Sequence, residues 1–403
     1  MTSTLELGRR RFLRSSLGLS GALLLGCDES TKNRLSAAHC DPACDCGGAC
    51  PNDVAGSRVG SAPFINEGDA PLEVPYNAGL DGRLLTDLSR LTPENLVTPS
   101  SSFYIRTRQP DRLVVGARWP ISVSGLVEAP SELLLDELLP LEQSQGALLL
   151  ECSGNSRDGH FGLLSSAEWH GIPLRGVLDR LQIRAQATRV LISGFDDHSQ
   201  PSARSTPGAS WVFSFDELTS TGAFLATRLN GQPLPADHGA PVRLFVPGWY
   251  GCTCIKWVNE IVLVDDQAPA TSQMTEFASR THQNGTPALA RDFQPAQMDQ
   301  AAMPVRVEKW SADGGVSYRI VGILWGGTKP TDRLQIRCGE GDWQPVAVCP
   351  AQSSNRTWTL WSHPWRPATP GDYAIVLRVD DPSVRQRRLD SGYYLREVRI
   401  DEV

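Results

Sequence analysis

The sequence has no block of lysines and arginines, and its formal net charge is −7. A nucleic-acid partner usually requires a basic face, so that class of partner is excluded. No Gly-x-Gly-x-x-Gly follows a predicted strand, which leaves a dinucleotide-binding fold unsupported. No Cys-x-x-Cys-His occurs, so the chain has no motif for covalent haem attachment. Internal repeats are also absent, and no transmembrane helix is predicted after the N-terminal segment.

What is present is typical of a globular protein. Hydrophobic residues make up 40% of the sequence and charged residues 21%. The 403 residues are enough for about two or three domains.

The N-terminal segment has the features of an export signal. Residues 9–14, RRRFLR, combine a twin arginine with an apolar pair, and an apolar stretch too short to span a bilayer follows at 17–25. The stretch ends in LLGC, which resembles a lipobox with Cys27 as the lipidated first residue of the mature chain. We therefore predict a twin-arginine lipoprotein signal at 1–27 and a periplasmic, membrane-anchored protein. Because that route exports folded proteins, it also suggests a cofactor that is inserted before export.

The ten cysteines fall into several groups, and an exported protein can keep disulfides. Cys40, Cys44, Cys46 and Cys50 match no common metal-ligand spacing. We interpret residues 28–60 as a disulfide-knotted linker, with a metal or cluster site as the alternative. Cys338 and Cys349 are spaced to join neighbouring strands by a disulfide. Cys252 and Cys254 are either a redox-sensitive pair or, as we favour, form an ordinary disulfide with other partners.

Residues 61–285 show a mixed α+β pattern without a regular alternation of strands and helices. Residues 131–139 are predicted as a short helix, and Leu174, Val177, Leu178 and Leu181 share one helical face. Predicted strands cover residues 120–127, 147–151, 189–194, 242–246 and 255–264.

Residues 286–403 show a different pattern, with short strands separated by regular turn signals. The seven predicted strands favour a β-sandwich of immunoglobulin type. These strands cover residues 305–310, 318–325, 334–338, 343–348, 357–361, 373–379 and 394–400.

Cys152 is the first candidate for chemistry, because it directly follows a dense apolar strand and precedes Ser153-Gly154-Asn155. A strand end can present a thiolate to a cleft, and soft thiolates suit metals with sulfur ligands. A cysteine taken alone is more often a small buried apolar side chain.

Cationic residues accompany Cys152 in the sequence. They are Arg106, Arg108, Arg157, Arg243 and Lys256. The planar fork of arginine suits oxyanions and phosphates, although a single arginine is more often a solvated surface charge.

The residues that flank these candidates resemble the sulfite oxidase family. The resemblance covers most of residues 100–280 and is carried by ECSGNS at 151–156, WHGIPL at 169–174 and NGQPLPADHGAPVR at 230–243. It continues through VPGWYG at 246–251 to Lys256-Trp257. Within the family, the sequence is most similar in type to a SoxC-type sulfite dehydrogenase subunit, which has no haem domain of its own.

This resemblance implies a fold and a cofactor. The expected fold is a sulfite-oxidase-type mixed α/β molybdopterin domain at 61–285, followed by an immunoglobulin-like dimerisation domain at 286–403. The implied cofactor is molybdenum-molybdopterin, with Cys152 as the thiolate ligand of the metal. Arg106 and Arg157 match arginines that line the oxyanion pocket, and Arg108 stands where the family often has a histidine. The implied cofactor-binding residues are Tyr104, Ile105, Arg106, Thr107, Arg108, Asp196, His238, Arg243, Cys254, Ile255 and Lys256.

The function implied by the resemblance is oxygen-atom transfer to sulfite or a related sulfur oxyanion. Electrons would pass to an external c-type cytochrome, and the enzyme would be a homodimer. Thr227 stands where the family has a tyrosine, three residues before the Asn of Asn-Gly. The resemblance therefore leaves substrates other than sulfite open.

Three alternatives remain at this point. One is a molybdopterin-dependent sulfoxide-type reductase, and another is a non-catalytic binding lipoprotein. The third is a cysteine hydrolase that pairs Cys152 with His160 or His238, for which the sequence has no nucleophile elbow.

Overall fold

The structure, a computed structural model, describes residues 54–116, 118–312, 314–347 and 354–403. The predicted signal, the linker cysteines at 40–50 and Cys349 lie outside these residues. The export signal, the knotted linker and the pairing of Cys338 with Cys349 therefore stay predictions.

Short strands dominate the described chain, and its helices have seven residues or fewer. The strands of the first two thirds are β1 (Ser57–Ala62), β2 (Phe64–Ile65), β3 (Pro120–Gly125), β4 (Ser131–Leu134), β5 (Gln143–Glu151), β6 (Leu164–Pro173), β7 (Arg189–Gly194), β8 (Ser210–Ser214), β9 (Phe224–Leu229), β10 (Gln232–Pro233), β11 (Arg243–Phe245) and β12 (Val258–Val264). The later strands are β13 (Ala301–Ala312), β14 (Gly315–Trp325), β15 (Leu334–Cys338), β16 (Gln344–Pro345), β17 (Thr359–Trp365), β18 (Gly371–Val379) and β19 (Arg396–Ile400). The helices are α1 (Leu135–Leu138), α2 (Leu174–Leu178), α3 (Phe215–Thr221), α4 (Ser272–Phe277) and α5 (Arg387–Asp390).

The strands form four sheets, two of them within residues 120–264. In the first, the order is β10-β9-β6-β5, with β11 also paired to β9. In the second, the order is β4-β3-β12-β7-β8, and β12 runs parallel to β3 but antiparallel to β7. This is a mixed fold without alternating strands and helices, as the sequence predicted.

The other two sheets combine both ends of the described chain. Their strand orders are β1-β13-β14-β17 and β16-β15-β18-β19-β2. Ser57 pairs with Ser311, and Phe64 pairs with Val398. The predicted linker to residue 60 is therefore too long, because a strand begins at Ser57 and is held by the C-terminal sheet.

Local sequence signals set several of these elements. In β3, Ile121 and Val123 are buried while their neighbours are more exposed, which is the alternation expected of a strand with one buried face. Ser214 and Glu217 form a capping box at the start of α3, and Gly222 ends the helix in the left-handed region at φ 69°.

The helix predicted at 131–139 is wrong in its first half. Ser131–Leu134 instead form β4, in which Leu134 pairs with Pro120 of β3. Only Leu135–Leu138 are helical. Pairing at the sheet edge satisfies the backbone of β4, and it outweighs the helical preference of the leucines and acids there.

The core between the first two sheets is built around Trp169, which is fully buried. Its ring centroid lies 5.6 Å from that of Phe103 and 4.6 Å from that of Phe245. Its indole N–H donates to the carbonyl of Leu148, 3.2 Å away, so its one polar atom is satisfied. Among the described residues, no helix has the length and apolar character needed to cross a membrane.

A buried ion pair fastens the start of the fold to its last strand. Glu67, just after β2, accepts from Arg396 Nε at 2.6 Å and from Nη2 at 2.7 Å. His160 Nδ1 lies 2.9 Å from the same carboxylate. Burial by itself would raise the pKa of Glu67, but Arg396 and His160 hold it below its ordinary value.

Replacing Glu67 by Gln should expose the strength of this pair. The variant leaves Arg396 buried without a carboxylate, so we expect a loss of about 3 kcal/mol in the free energy of unfolding at neutral pH. Because the folded pKa of Glu67 is lowered, its contribution is present above its ordinary pKa of 4.5 and is lost as pH falls through the folded pKa. Urea unfolding at neutral and acid pH should show the difference shrinking in acid.

The control for this experiment is Asp372→Asn, which removes an exposed partner of Arg399. Exposed pairs contribute little, so stability should hardly change. A Glu67→Gln loss no larger than that of the control would contradict the assignment.

Candidate active site

Cys152 lies at the point where β5 ends and the chain turns. Its N–H donates to the Leu163 carbonyl at 3.0 Å, and its own carbonyl accepts from Asn155 N at 2.9 Å, which closes the turn. Gly154 N–H points at the Cys152 sulfur, 3.4 Å away. The thiol is only 4% exposed, so the turn shields the sulfur from bulk water.

The thiol faces a pocket with about 850 Å³ of empty space, which we call the Cys152 pocket. Ten of the other predicted site residues line it together with Cys152. They are Tyr104, Ile105, Arg106, Thr107, Asp196, His238, Arg243, Cys254, Ile255 and Lys256. The structure thus brings together side chains from four distant segments of the sequence.

Two buried cations form one wall of the Cys152 pocket. Arg243 donates to the carbonyls of His238 at 3.2 Å and Cys254 at 2.9 Å, and its Nε has no partner among the described residues. Lys256 Nζ donates to the carbonyls of Asp237, at 2.9 Å, and Thr107. Burial, followed by the Arg243 charge, lowers the pKa of Lys256 well below its ordinary value. Buried cations held mainly by carbonyls favour a bound anion.

His238 offers a neutral acceptor to the same pocket. Burial lowers its pKa to about 4, so the imidazole is uncharged at neutral pH. Its Nε2 lies 3.0 Å from the Phe103 carbonyl and must donate to it. The buried Nδ1, which has no partner in the described part of the chain, is therefore left as an acceptor.

Asp196 anchors a loop at the rim of the pocket. One carboxylate oxygen accepts from the N–H groups of Gly208, at 2.8 Å, and Ala209, at 3.2 Å. The other lies 2.9 Å from His198 Nε2. Its oxygens are already engaged, so its role is to shape the rim.

Arg106 points into the Cys152 pocket, where Nη2 donates to Ser205 Oγ at 2.7 Å. The sequence did not predict its neighbour Arg83, which donates to the carbonyls of Gly82 and Arg106. Burial, together with the Arg106 charge, lowers the pKa of Arg83 to about 10. No motif marked Arg83, because it acts by holding the backbone that carries Arg106.

Two predicted arginines do not line the Cys152 pocket. Arg108 pairs with Asp237, with Nε and Oδ2 3.1 Å apart, beside the pocket wall. Arg157 turns toward the C-terminal part of the chain and donates to the Leu395 carbonyl at 2.7 Å. The expectation that Arg157 lines an oxyanion pocket is therefore not supported by its position.

Thr227 is also remote from Cys152. It lies in β9, and its hydroxyl donates to Glu142. β9 pairs with the C-terminal end of β6, around Gly171. The Cys152 N–H instead bonds to the carbonyl of Leu163, directly before the N-terminal end of β6. The residue at position 227 thus has no bearing on the substrate, and the doubt based on it is removed.

Cys252 and Cys254 occur as buried free thiols in the described structure, so the favoured disulfide is not formed there. Burial raises the pKa of the Cys252 thiol and that of the Cys254 thiol above the ordinary value. Cys254 Sγ accepts from Val246 N at 3.3 Å and Cys252 faces the pocket, so both act as uncharged packing groups.

A second opening borders the Cys152 turn at Ser153 and Gly154, and we call it the arginine cleft. It is an open cleft of about 1050 Å³ that the sequence did not predict. Its main lining residues are Ser153, Gly154, Arg280, His282, Arg387 and Arg388. A methyl group on Gly154 would lie 3.0 Å from Arg280 Nη1 and 3.8 Å from Cys152 Sγ, so the guanidinium and the thiol are close neighbours.

Arg388 joins the turn to the C-terminal part of the chain. Its Nη1 lies 3.4 Å from Glu151 Oε1, and its Nη2 donates to the Ser153 carbonyl at 2.8 Å. Trp325 Nε1, at 3.0 Å, and the Tyr394 hydroxyl also donate to the Glu151 carboxylate. The residues on both sides of Cys152 are thus fixed by one buried network.

The pairing of Cys152 with a histidine, as in a hydrolase, finds no support. His238 is bonded to the Phe103 carbonyl, and His160 is paired with Glu67. Neither imidazole is placed to take the proton of the Cys152 thiol.

Comparisons with known proteins agree with this geometry. Residues 108–272 match the oxidoreductase molybdopterin-binding domain. Mitochondrial sulfite oxidase from Macaca fascicularis is 26% identical over 310 residues, which covers 71% of this chain and 55% of the relative. Inducible nitrate reductase [NADH] 1 from Glycine max is 29% identical over 195 residues, covering 45% of this chain and 22% of the relative. The chain thus spans between about a fifth and just over half of these relatives' lengths.

A solved structure shares the fold. The sulfane dehydrogenase SoxCD from Paracoccus pantotrophus superposes with a TM-score of 0.59 at 17% identity, covering 81% of this chain and 88% of that one. Residues 108–272 are therefore a molybdopterin-binding oxidoreductase domain. The chain is thus a molybdopterin oxidoreductase similar to the sulfite oxidases, with molybdenum-molybdopterin as its cofactor.

The donor set of the Cys152 pocket fits this cofactor. Cys152 supplies a soft sulfur ligand, Arg243 and Lys256 supply buried positive charge for a phosphate, and His238 Nδ1 supplies an acceptor for a pterin N–H. The partnerless nitrogen atoms of Arg243 and His238 gain partners when such a group is bound.

Lys256→Met should reduce cofactor retention without unfolding the protein. We expect the molybdenum and pterin content of purified protein to fall about 10-fold, the scale of one lost charge-assisted contact. Because Lys256 is a buried cation, the cofactor-free variant should be as thermally stable as cofactor-free parent protein. Arg108→Met, beside the pocket, is the matched control, and an equal cofactor loss in both variants would refute the assignment.

Proposed function

We propose that the protein oxidises a small sulfur oxyanion, most simply sulfite, to its more oxidised form. The observation that carries this proposal is the position of Cys152 on one turn between a cofactor-sized pocket and the arginine cleft. The three guanidinium groups that line the cleft favour an anion over a neutral sulfoxide. The comparisons support the cofactor class, and the cleft supports the substrate class.

Each part of the site has a separate task in this proposal. When bound, the molybdenum-molybdopterin group supplies two-electron redox chemistry and oxygen-atom transfer. Cys152 holds the metal, while Arg243, Lys256 and His238 hold the pterin and its phosphate. Arg280 and Arg387 draw the oxyanion in and orient it, which lowers the entropy cost of reaction. Arg388 is fixed by Glu151 and keeps the turn in place.

We further propose that electrons leave to a separate one-electron carrier such as a c-type cytochrome. The C-terminal sheets are proposed to form an immunoglobulin-like domain that holds two copies together. Export by the twin-arginine route and a lipid anchor on Cys27 complete the proposal. Light scattering and lipid labelling of a Cys27→Ala variant test the dimer and the anchor, respectively.

Sulfite-dependent reduction of cytochrome c or ferricyanide tests the reaction itself. It requires full-length protein with confirmed molybdenum content, and Cys152→Ser is the control. We expect sulfite to drive reduction in the parent and not in the control, because the thiolate ligand is lost. A nitrate-dependent assay with a reduced dye should give no turnover. Turnover with nitrate but not with sulfite would show that nitrate is the substrate and sulfite is not.

Arg280→Met and Arg387→Met test the arginine cleft. Losing one charged contact costs about 1.5 to 3 kcal/mol, so KM for sulfite should rise at least about 10-fold in each variant. The exposed Arg175→Met is a control of the same charge change. KM values that match this control would show that the oxyanion does not bind in the cleft.

A further inference from the structure

The arginine cleft contains one imidazole side chain among its arginines and uncharged residues. His282 lines the cleft, and imidazole is the side chain type best suited to exchange a proton near neutral pH. Its backbone has φ 59°, an uncommon value for a residue with a side chain. Arg387 Nη1 donates to the His282 carbonyl at 3.2 Å, which holds this conformation against α5.

His282 has a buried acidic partner. Asp299 Oδ2 lies 2.5 Å from His282 Nε2, and the aspartate is 7% exposed. The contact is not aligned as a hydrogen bond, so neither atom has a well-directed partner among the described residues. Asp299 thus places a carboxylate oxygen directly against the imidazole ring.

The pair also connects two openings. His282 and Arg387 line the arginine cleft and, in addition, a smaller pocket of about 360 Å³. Asp299, Gln297 and Thr328 complete the wall of this smaller pocket. A proton taken up on the cleft side thus has a polar route away from the substrate.

The surrounding charge is mixed. The cations that line the two openings together with His282 are Arg280, Arg385, Arg387 and Arg388. Glu151 and the Tyr250 hydroxyl act electrostatically on Asp299. An oxyanion bound in the cleft would offset the charge of these four cations.

We propose that His282 and Asp299 are the proton acceptor of the arginine cleft. This rests on the proposed function, in which sulfite and one water give sulfate, two protons and two electrons. The electrons leave to the one-electron carrier. His282 takes one of the protons, Asp299 stabilises the imidazolium, and the proton passes to solvent through the smaller pocket.

Kinetics of the molybdenum-loaded His282→Asn variant test the proposal. Loss of a proton acceptor should lower kcat about 10- to 100-fold with little change in KM for sulfite. Added imidazole should restore part of the rate, which a structural role would not allow. Asp299→Asn should give a smaller loss, and His170→Asn, on β6 and lining neither opening, should behave as parent protein.

Sulfate binding gives a readout that does not need turnover. Calorimetry in two buffers of different ionisation enthalpy measures the protons taken up when sulfate binds to the loaded protein. We expect uptake of up to about one proton per sulfate in the parent, none in His282→Asn and parent-like uptake in His170→Asn.

The outcomes separate this inference from the proposed function. If sulfite is inert but His282-dependent proton uptake persists, the reaction is wrong and the proton acceptor stands. If sulfite is oxidised while His282→Asn keeps the parent rate and proton uptake, the acceptor is overturned and the reaction stands. Failure of sulfate to bind, or binding without proton uptake in the parent, also overturns it.

Discussion

The buried ion pair between Glu151 and Arg388 determines how the rest of the site is arranged. Glu151 ends β5 directly before Cys152, and Arg388 comes from α5 near the other end of the sequence. Removing two charges from water is costly, and here the cost is offset by further donors from Trp325 and Tyr394 to the same carboxylate. Because Arg388 also binds the Ser153 carbonyl, the pair holds the backbone on both sides of the thiol.

This arrangement makes the Cys152 turn a wall shared by two openings of different chemistry. On one side, buried Arg243 and Lys256 are held mainly by carbonyl oxygens, which leaves a net positive charge for an anionic cofactor. In the second opening, the guanidinium groups of Arg280 and Arg387 line an open cleft.

Features carried by neighbouring residues were predictable from the sequence. The strands at 189–194 and 334–338 have the predicted bounds, because their apolar pattern and their turn residues agree. Cys152 and the residues around His238 and Lys256 were found through contiguous motifs, and the structure gathers them in one pocket. The cofactor class and the family were predicted correctly on the same motifs.

Features that depend on pairing between distant segments could not be predicted in this way. Arg280, Arg387 and Arg388 have no motif, and only the packing of α5 against the Cys152 turn gives them a common cleft. Arg157 was misplaced for the same reason, since its partner Leu395 lies far along the chain. Residues 131–134 form an edge strand paired with β3, although their local sequence prefers a helix.

The pairing of β2 with β19 also constrains how the protein reaches its folded state. Ile65 pairs with Glu397, so a strand at the start of the described chain has a pairing partner more than three hundred residues later in the sequence. Contacts of such long sequence separation form late and slowly, because a large loop must close first. Arg388, which fixes the Cys152 turn, lies in the same late segment. During synthesis, the metal-ligand turn therefore lacks its Arg388 contacts until α5 has been made.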